Sequence, residues 1–227
     1  DGNRKVVHAE VAGEIREFTA AEILVATGRH PAITGLDLAR AGVRQTHREV
    51  PVDDQLRTNV PHIFAAGDVI GRNYIVHYAI QQAEVAAYNA VSGNPPRAVD
   101  NRLIPHVVFT DPQFGRVGLT EKEARAAGRD VLVGKYPFAD HGKAMCLGRT
   151  AGFVKLVADR ATGEILGAAV LGPEGGELLH EMVVAMHFRA TAAEFLKIPH
   201  VHPTLAEILT YPAEDIEDQR QALVQAV

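Results

Sequence analysis

The sequence predicts an α/β segment followed by an α+β domain, an antiparallel sheet with helices. Three observations carry this. Short apolar runs, Ala21 to Thr27 entering Gly28 and Ile63 to Ala66 entering Gly67-Asp68, lead toward an Ala-rich stretch from Ile75 to Val91. That is the alternation of strand and helix expected of α/β folds. The tetrapeptide Asn94-Pro95-Pro96-Arg97 then reads as a linker, because two prolines can continue neither helix nor ladder. Beyond it, five strand candidates are interleaved with helix start signals.

Bulk properties narrow the function classes. The 227 residues, 47% of them hydrophobic, can bury one large core or two smaller ones. A net charge of −5 with no basic run argues against nucleic acid or an anionic membrane as the main partner. No apolar run has the roughly 18 residues of a membrane span, and the charged opening Asp1-Gly2-Asn3-Arg4-Lys5 does not read as a signal peptide, so the chain reads as cytoplasmic. The single cysteine, Cys146, excludes an internal disulfide, a Cys-x-x-Cys redox pair and a thiolate zinc site within one chain, and no metal site is expected.

In the first half, Val6 to Val11 and Glu14 to Phe18 flank Gly13 and predict a hairpin. The run Ala21 to Thr27 predicts a buried strand ending at Gly28, where the backbone needs conformational freedom. Ile63 to Ala66 predicts a second strand, with Gly67-Asp68 at its C-terminal end, the place where open α/β sheets bind ligands. A carboxylate there can accept hydrogen bonds from sugar-like hydroxyls, although a lone Gly-Asp is also a common turn. The helix from Ile75 to Val91 is closed by Gly93 and Pro95-Pro96, and its start suits an anionic or electron-rich ligand edge. His77 there reads either as a partly exposed cap residue or as a ligand-facing imidazole.

In the second half, His106 to Thr110, Phe114 to Gly118, Val131 to Tyr136, Phe153 to Val157 and Ile165 to Leu171 predict strands. The turn Asp159 to Glu164 pairs the last two antiparallel. Thr120-Glu121-Lys122-Glu123 and Thr191-Ala192-Ala193-Glu194 are capping boxes, and Gly128 ends the helix that the first one opens. Leu178, Leu179, Met182, Val183 and Met186 form one helical stripe, suited to a core or to a dimer contact.

The chemistry concentrates in Ile198-Pro199-His200-Val201-His202-Pro203-Thr204-Leu205-Ala206-Glu207. Histidine exchanges protons near neutral pH, and a carboxylate within reach fixes its tautomer and stabilises the imidazolium. Pro203 suits the first position of a helix that would carry Glu207, while Pro212 is expected to cut that helix short. The pair can equally be an N-cap histidine and a solvated first-turn acid.

The phrase His-x-His-Pro-Thr-Leu-x-Glu resembles the active-site segment of the flavin-dependent pyridine nucleotide-disulfide oxidoreductases, most closely the dihydrolipoamide dehydrogenases. Leu24-Val25-Ala26-Thr27-Gly28-Arg29 followed by Gly35 to Val43 is similar to that family's exit from its NAD domain. Arg57-Thr58-Asn59-Val60-Pro61-His62-Ile63-Phe64-Ala65-Ala66-Gly67-Asp68-Val69 is similar to its second flavin fingerprint, and the strand phrases after Arg102 follow the order of its dimerisation domain.

The resemblance implies residues 1–30 as the end of an NAD-binding domain, 31–102 as the second segment of an FAD-binding domain and 103–227 as a dimerisation domain. It implies Gly67 and Asp68 at the FAD ribitol, backbone contacts from Val76 and His77 at the flavin edge, and His202 with Glu207 as the acid/base dyad serving the partner subunit's dithiol. A homodimer is implied, with FAD, NAD(P) and a dithiol/disulfide substrate in the full-length enzyme. His202, where mercuric reductases usually carry tyrosine, points to a thiol substrate, and Leu205-Ala206 points to dihydrolipoamide rather than glutathione. The sequence contains no Gly-x-Gly-x-x-Gly and no Cys-x4-Cys. The chain is therefore expected to be the C-terminal half of a longer enzyme, inactive alone and retaining no cofactor. The alternatives are a mercuric reductase-like or other member of the family, or a dimerisation module without catalysis.

Overall fold

The computed structural model describes residues 4–91 and 94–225. It divides into two compact units, one up to Arg97 and one from Ala98 onward. The division falls at the end of the Asn94-Pro95-Pro96-Arg97 linker; Gly93, assigned to the same stop signal, lies outside the described residues.

The first unit opens with β1 (Lys5–Val11) and β2 (Glu14–Ala20), an antiparallel hairpin. Its two-residue turn holds Ala12 and Gly13 at φ 53° and 84°, the left-handed pair that a tight hairpin demands. The buried strand expected from Ala21 to Gly28 does not form: the segment is irregular, and Leu24 and Val25 are 92% and 74% exposed. A strand of this apolar kind is stabilised by ladders and by cover on both faces, and no described strand pairs with it. Ile63 to Ala66 likewise makes only one isolated bridge, Phe64 with Arg57, rather than a strand. A small core of Ile33, Val43 and Val50, with Leu38, Val60, Ile63, Ala65 and Val69 against it, holds this part together. The unit's helix is α1 (Val76–Val91). The side chain of Asn89 anchors the linker to it, donating to the Arg97 carbonyl and accepting from the Arg97 N–H at 2.8 Å each.

In the second unit all five expected strands form. They are β3 (His106–Val108), β4 (Gln113–Gly118), β5 (Val131–Pro137), β6 (Phe153–Asp159) and β7 (Ile165–Gly172), in one antiparallel sheet of order β3-β4-β7-β6-β5. Between β4 and β5 lies α2 (Glu121–Ala126), opened by the Thr120–Glu123 capping box and followed by Gly128 at φ 73°. Between β5 and β6 lies the short α3 (Gly142–Cys146). After β7 come α4 (Gly175–His187), α5 (Ala192–Phe195), whose capping box is Thr191–Glu194, and α6 (Thr210–Gln225). The peptides Asp111-Pro112 and His202-Pro203, at the tight turns of the family phrases, are cis, as is Asn94-Pro95.

Alternation along the strands decides where the core sits. Val154, Leu156, Ala168, Val170 and Val117 share one face of the sheet and are buried under α4 and α6. The stripe Leu178, Leu179, Met182 and Met186 belongs to this core. Two glycines let the helices approach. A Cβ on Gly115 would press on Leu179 and the Gly175 carbonyl, and one on Gly134 would overlap the Pro212 carbonyl. Pro212 does not cut the helix short. It is the third residue of α6, in the first turn, where backbone N–H groups lack intrahelical acceptors and a missing donor costs little.

Candidate functional site

The two residues expected to form a dyad lie in contact. The Nδ1 atom of His202 lies 2.8 Å from Oε2 of Glu207, inside the range required of a base and its orienting carboxylate. The two residues differ in setting: the His202 side chain is 80% exposed, whereas that of Glu207 is 13% exposed. Since Nδ1 faces Glu207, Nε2 is the nitrogen presented outward for proton exchange.

Local structure explains the placement. Pro203 does not open a helix. Residues 202–205 form bends, with the Thr204 hydroxyl donating to the Val201 carbonyl at 2.7 Å. Glu207 instead sits in a short 3-10 helix from Ala206 to Leu209. Ile208 and Leu209 are fully buried and fix the register of that turn, which leaves the carboxylate beside them largely enclosed. Thr210 closes the turn by donating its hydroxyl to the Glu207 carbonyl at 2.8 Å. Two residues before the dyad, His200 is held from both sides, by the Glu181 carboxylate at 2.8 Å and the Ile198 carbonyl at 2.9 Å.

A second histidine, which the linear sequence did not single out, meets the same carboxylate. His141 is fully buried, and its Nε2 lies 3.5 Å from Oε1 of Glu207. Burial pushes its pKa below the ordinary histidine value, outweighing the attraction of Glu207. Its ring meets Phe138 and Tyr211 edge-on, and Tyr136 stacks on Tyr211 with centroids 4.2 Å apart.

The other expected residues lie in the first unit. Gly67 and Asp68 open a 3-10 helix (Gly67–Ile70) rather than following a strand. Gly67 has φ 75°, and its N–H donates to Oε1 of Gln82, a fully buried side chain of α1, at 2.7 Å. This bond ties the Gly67-Asp68 corner to α1. The Asp68 carboxylate is 45% exposed and lies 3.5 Å from the Arg29 guanidinium, so it has oxygen capacity left for hydroxyl donors. Val76 and His77 are the first two residues of α1, and Val76 is 77% exposed. Gly67-Asp68 and the start of α1 therefore belong to one neighbourhood, while His202 and Glu207 belong to the other unit. No group of three or more potential metal ligands occurs among the described residues, and none of their helices is long and apolar enough to cross a membrane.

Family models match both units. The family model described as "Pyridine nucleotide-disulphide oxidoreductase" matches residues 1–90, and the one described as "Pyridine nucleotide-disulphide oxidoreductase, dimerisation domain" matches residues 104–213. Among curated proteins, the dihydrolipoyl dehydrogenase of Thermus scotoductus is 40% identical over 220 residues, 96% of this chain and 47% of that protein. The dihydrolipoyl dehydrogenase of Haloferax volcanii is 39% identical over 204 residues, 89% of this chain and 43% of that protein. Among solved structures, LpdA from Mycobacterium tuberculosis superposes with a TM-score of 0.82 at 26% identity, covering 93% of this chain and 48% of that one. The HOCl-induced flavoprotein disulfide reductase RclA from Escherichia coli gives 0.78 at 28% identity, covering 96% and 48%. The chain thus spans about half the length of the relatives it matches.

Proposed function

Because this chain belongs to the pyridine nucleotide-disulphide oxidoreductases, we propose that it forms the C-terminal half of an FAD-dependent NAD(P)H:disulfide oxidoreductase of the dihydrolipoamide dehydrogenase type. The observation that carries the reading is the 2.8 Å contact between an exposed imidazole and an enclosed carboxylate. In this reading His202 removes a proton from a substrate thiol through Nε2, because thiolate rather than thiol attacks a disulfide. Glu207 accepts from Nδ1–H, holds the tautomer and stabilises the imidazolium that results. His202 serves the dithiol of the partner subunit in a cytoplasmic homodimer.

The first unit fits the role of a flavin contact. Asp68 would bind ribitol hydroxyls, Gly67 would keep its corner close to α1, and the backbone of Val76 and His77 would meet the ring edge. Bound FAD would supply two-electron transfer between NAD(P)H and a disulfide. The chain contains no Gly-x-Gly-x-x-Gly to cradle a pyrophosphate, so by itself it should bind FAD weakly or not at all and be inactive. Stoichiometric yellow flavin on the purified chain would contradict that.

In the complete subunit, His202→Gln should slow dithiol oxidation by about 10²–10⁴-fold while hydride transfer to flavin is unchanged. Glu207→Gln should do less harm. Rapid-mixing measurement of the two half-reactions decides it: equal slowing of both, or of neither, would remove His202 from the chemistry.

A further inference from the structure

His141 is a buried titratable group that this chemistry leaves unused, and its surroundings are unusual. Its backbone is satisfied, the N–H donating to the Phe138 carbonyl and the carbonyl accepting from Met145 N–H. Its ring is not: among the described residues neither ring nitrogen has a hydrogen-bond partner of good geometry. Buried polar atoms normally find partners, and those that do not call for an explanation. The groups facing this ring are few: Glu207 at 3.5 Å, His202 beyond that carboxylate, and Tyr211, on which Tyr136 stacks. The Tyr136 hydroxyl is already committed to the Asp140 carbonyl at 3.0 Å. Glu207 Oε1 is thus the acceptor within reach.

We propose that His141 is a positioning residue for the dyad: its Nε2–H donates to Oε1 of Glu207, so that Oε2 is presented to Nδ1–H of His202. A neutral imidazole has one N–H and one lone pair, and only Nε2 faces an acceptor, which assigns the tautomer. The 3.5 Å separation is at the outer limit of a hydrogen bond, as is common for sites that tighten with substrate bound. Two donors on two oxygens fix the plane of the carboxylate. Burial also has a purpose here, since a neutral His141 orients Glu207 without neutralising the charge that His202 uses, whereas a charged one would repel the His202 imidazolium.

The placement is tested without flavin or substrate, so its failure is separable from failure of the proposed function, on which only its catalytic consequence rests. With ¹⁵N-histidine in the 227-residue chain, His141 should show the neutral Nε2–H form near neutral pH, and Glu207→Gln should move the ring signals of both His141 and His202. His141→Phe keeps the ring packing and loses the N–H. It should speed exchange of the His202 Nδ1 proton about tenfold, and His141→Gln, which restores an N–H near the same point, should bring it back within about twofold. An Nδ1–H tautomer at His141, a Glu207→Gln effect confined to His202, or His141→Phe matching the parent chain would overturn the proposal.

Discussion

Two carboxylates mark the two units, and they are held in opposite ways. Asp68 is 45% exposed, beside an arginine that is itself 71% exposed, and its position is set by the backbone through the Gly67–Gln82 bond. Glu207 is 13% exposed, flanked by the fully buried Ile208 and Leu209, and faces histidines on both oxygens. The contrast extends to the units around them. The second packs α4 and α6 on one face of its sheet over an extensive buried core, while the first rests on the smaller cluster around Ile33, Val43 and Val50. A carboxylate fixed in direction is here backed by a core, and one left with free oxygen capacity sits on a turn.

The sharpest way to break this comparison is to remove one apolar side chain from each unit. Phe195→Ala, at a fully buried ring of the second unit, should cost about 3–5 kcal/mol in denaturant unfolding. Leu24→Ala, at a side chain 92% exposed, should stay within about 0.5 kcal/mol. Similar losses at the two positions would show that the segment from Ala21 to Gly28 is packed in solution.

The next effect belongs to the first unit. Gln82→Leu keeps the bulk of a fully buried side chain but strands the Gly67 N–H, a loss of about 1–3 kcal/mol. If the first-unit site is held mainly through this bond, the variant should also weaken binding of flavin analogues to the complete subunit, with the His202–Glu207 dyad unaffected. Intact stability in Gln82→Leu would show that the corner is held by its turn alone.

These pairs also explain what was legible in the sequence. The capping boxes, the Asp159–Glu164 turn, the linker and the five strands of the second unit are local signals, and all appear where the residues place them. The His202–Glu207 contact was legible because both residues lie in one short phrase. The strands expected at Ala21 to Gly28 and Ile63 to Ala66 depend on neighbours to pair with, which a local pattern does not contain. Pro212 was misjudged because its position in the first turn depends on where α6 starts, and buried Ile208 and Leu209 set that. His141 carried no readable period: the 3-10 turn Phe138–Asp140 that follows β5 brings it to Glu207, and only the packed sheet places that turn there.

A third effect is a pH dependence specific to the second unit. Burial lowers the His141 pKa, so the unfolded chain takes up a proton at higher pH than the folded one. Stability from this group is therefore full above the ordinary histidine pKa near 6.5 and falls as pH drops below it, by at most about 1.4 kcal/mol per pH unit. Urea midpoints of the second unit should decline through that window in the parent chain and stay flat in His141→Phe. A decline that survives the substitution would assign the window to another group.

The smallest effect tests whether the local signals of the second unit contribute at all. In the first capping box the Thr120 N–H and hydroxyl both donate to Glu123, at 2.8 Å each, and the Glu123 N–H donates back to the Thr120 hydroxyl at 3.2 Å. The Thr120 N–H and hydroxyl, with Arg116 nearby, lower the Glu123 pKa from its ordinary value of 4.5. The sign is opposite in origin to that of His141 and alike in outcome. The folded state holds the carboxylate charged, so the stabilisation is present above the unfolded pKa and lost as pH falls through the lower folded one. Glu123 is half exposed, so solvent screening keeps its share below about 1 kcal/mol. Thr120→Ala should cost about 1 kcal/mol at neutral pH, with the deficit shrinking as pH falls through the lowered Glu123 pKa and the carboxylate loses the charge that the Thr120 hydroxyl helps to stabilise. A deficit that stays constant through that range would mean that the Thr120 hydroxyl acts by accepting the Glu123 N–H alone, and that its own bond to the carboxylate adds nothing, because the backbone N–H at position 120 that also binds this carboxylate is kept in the variant.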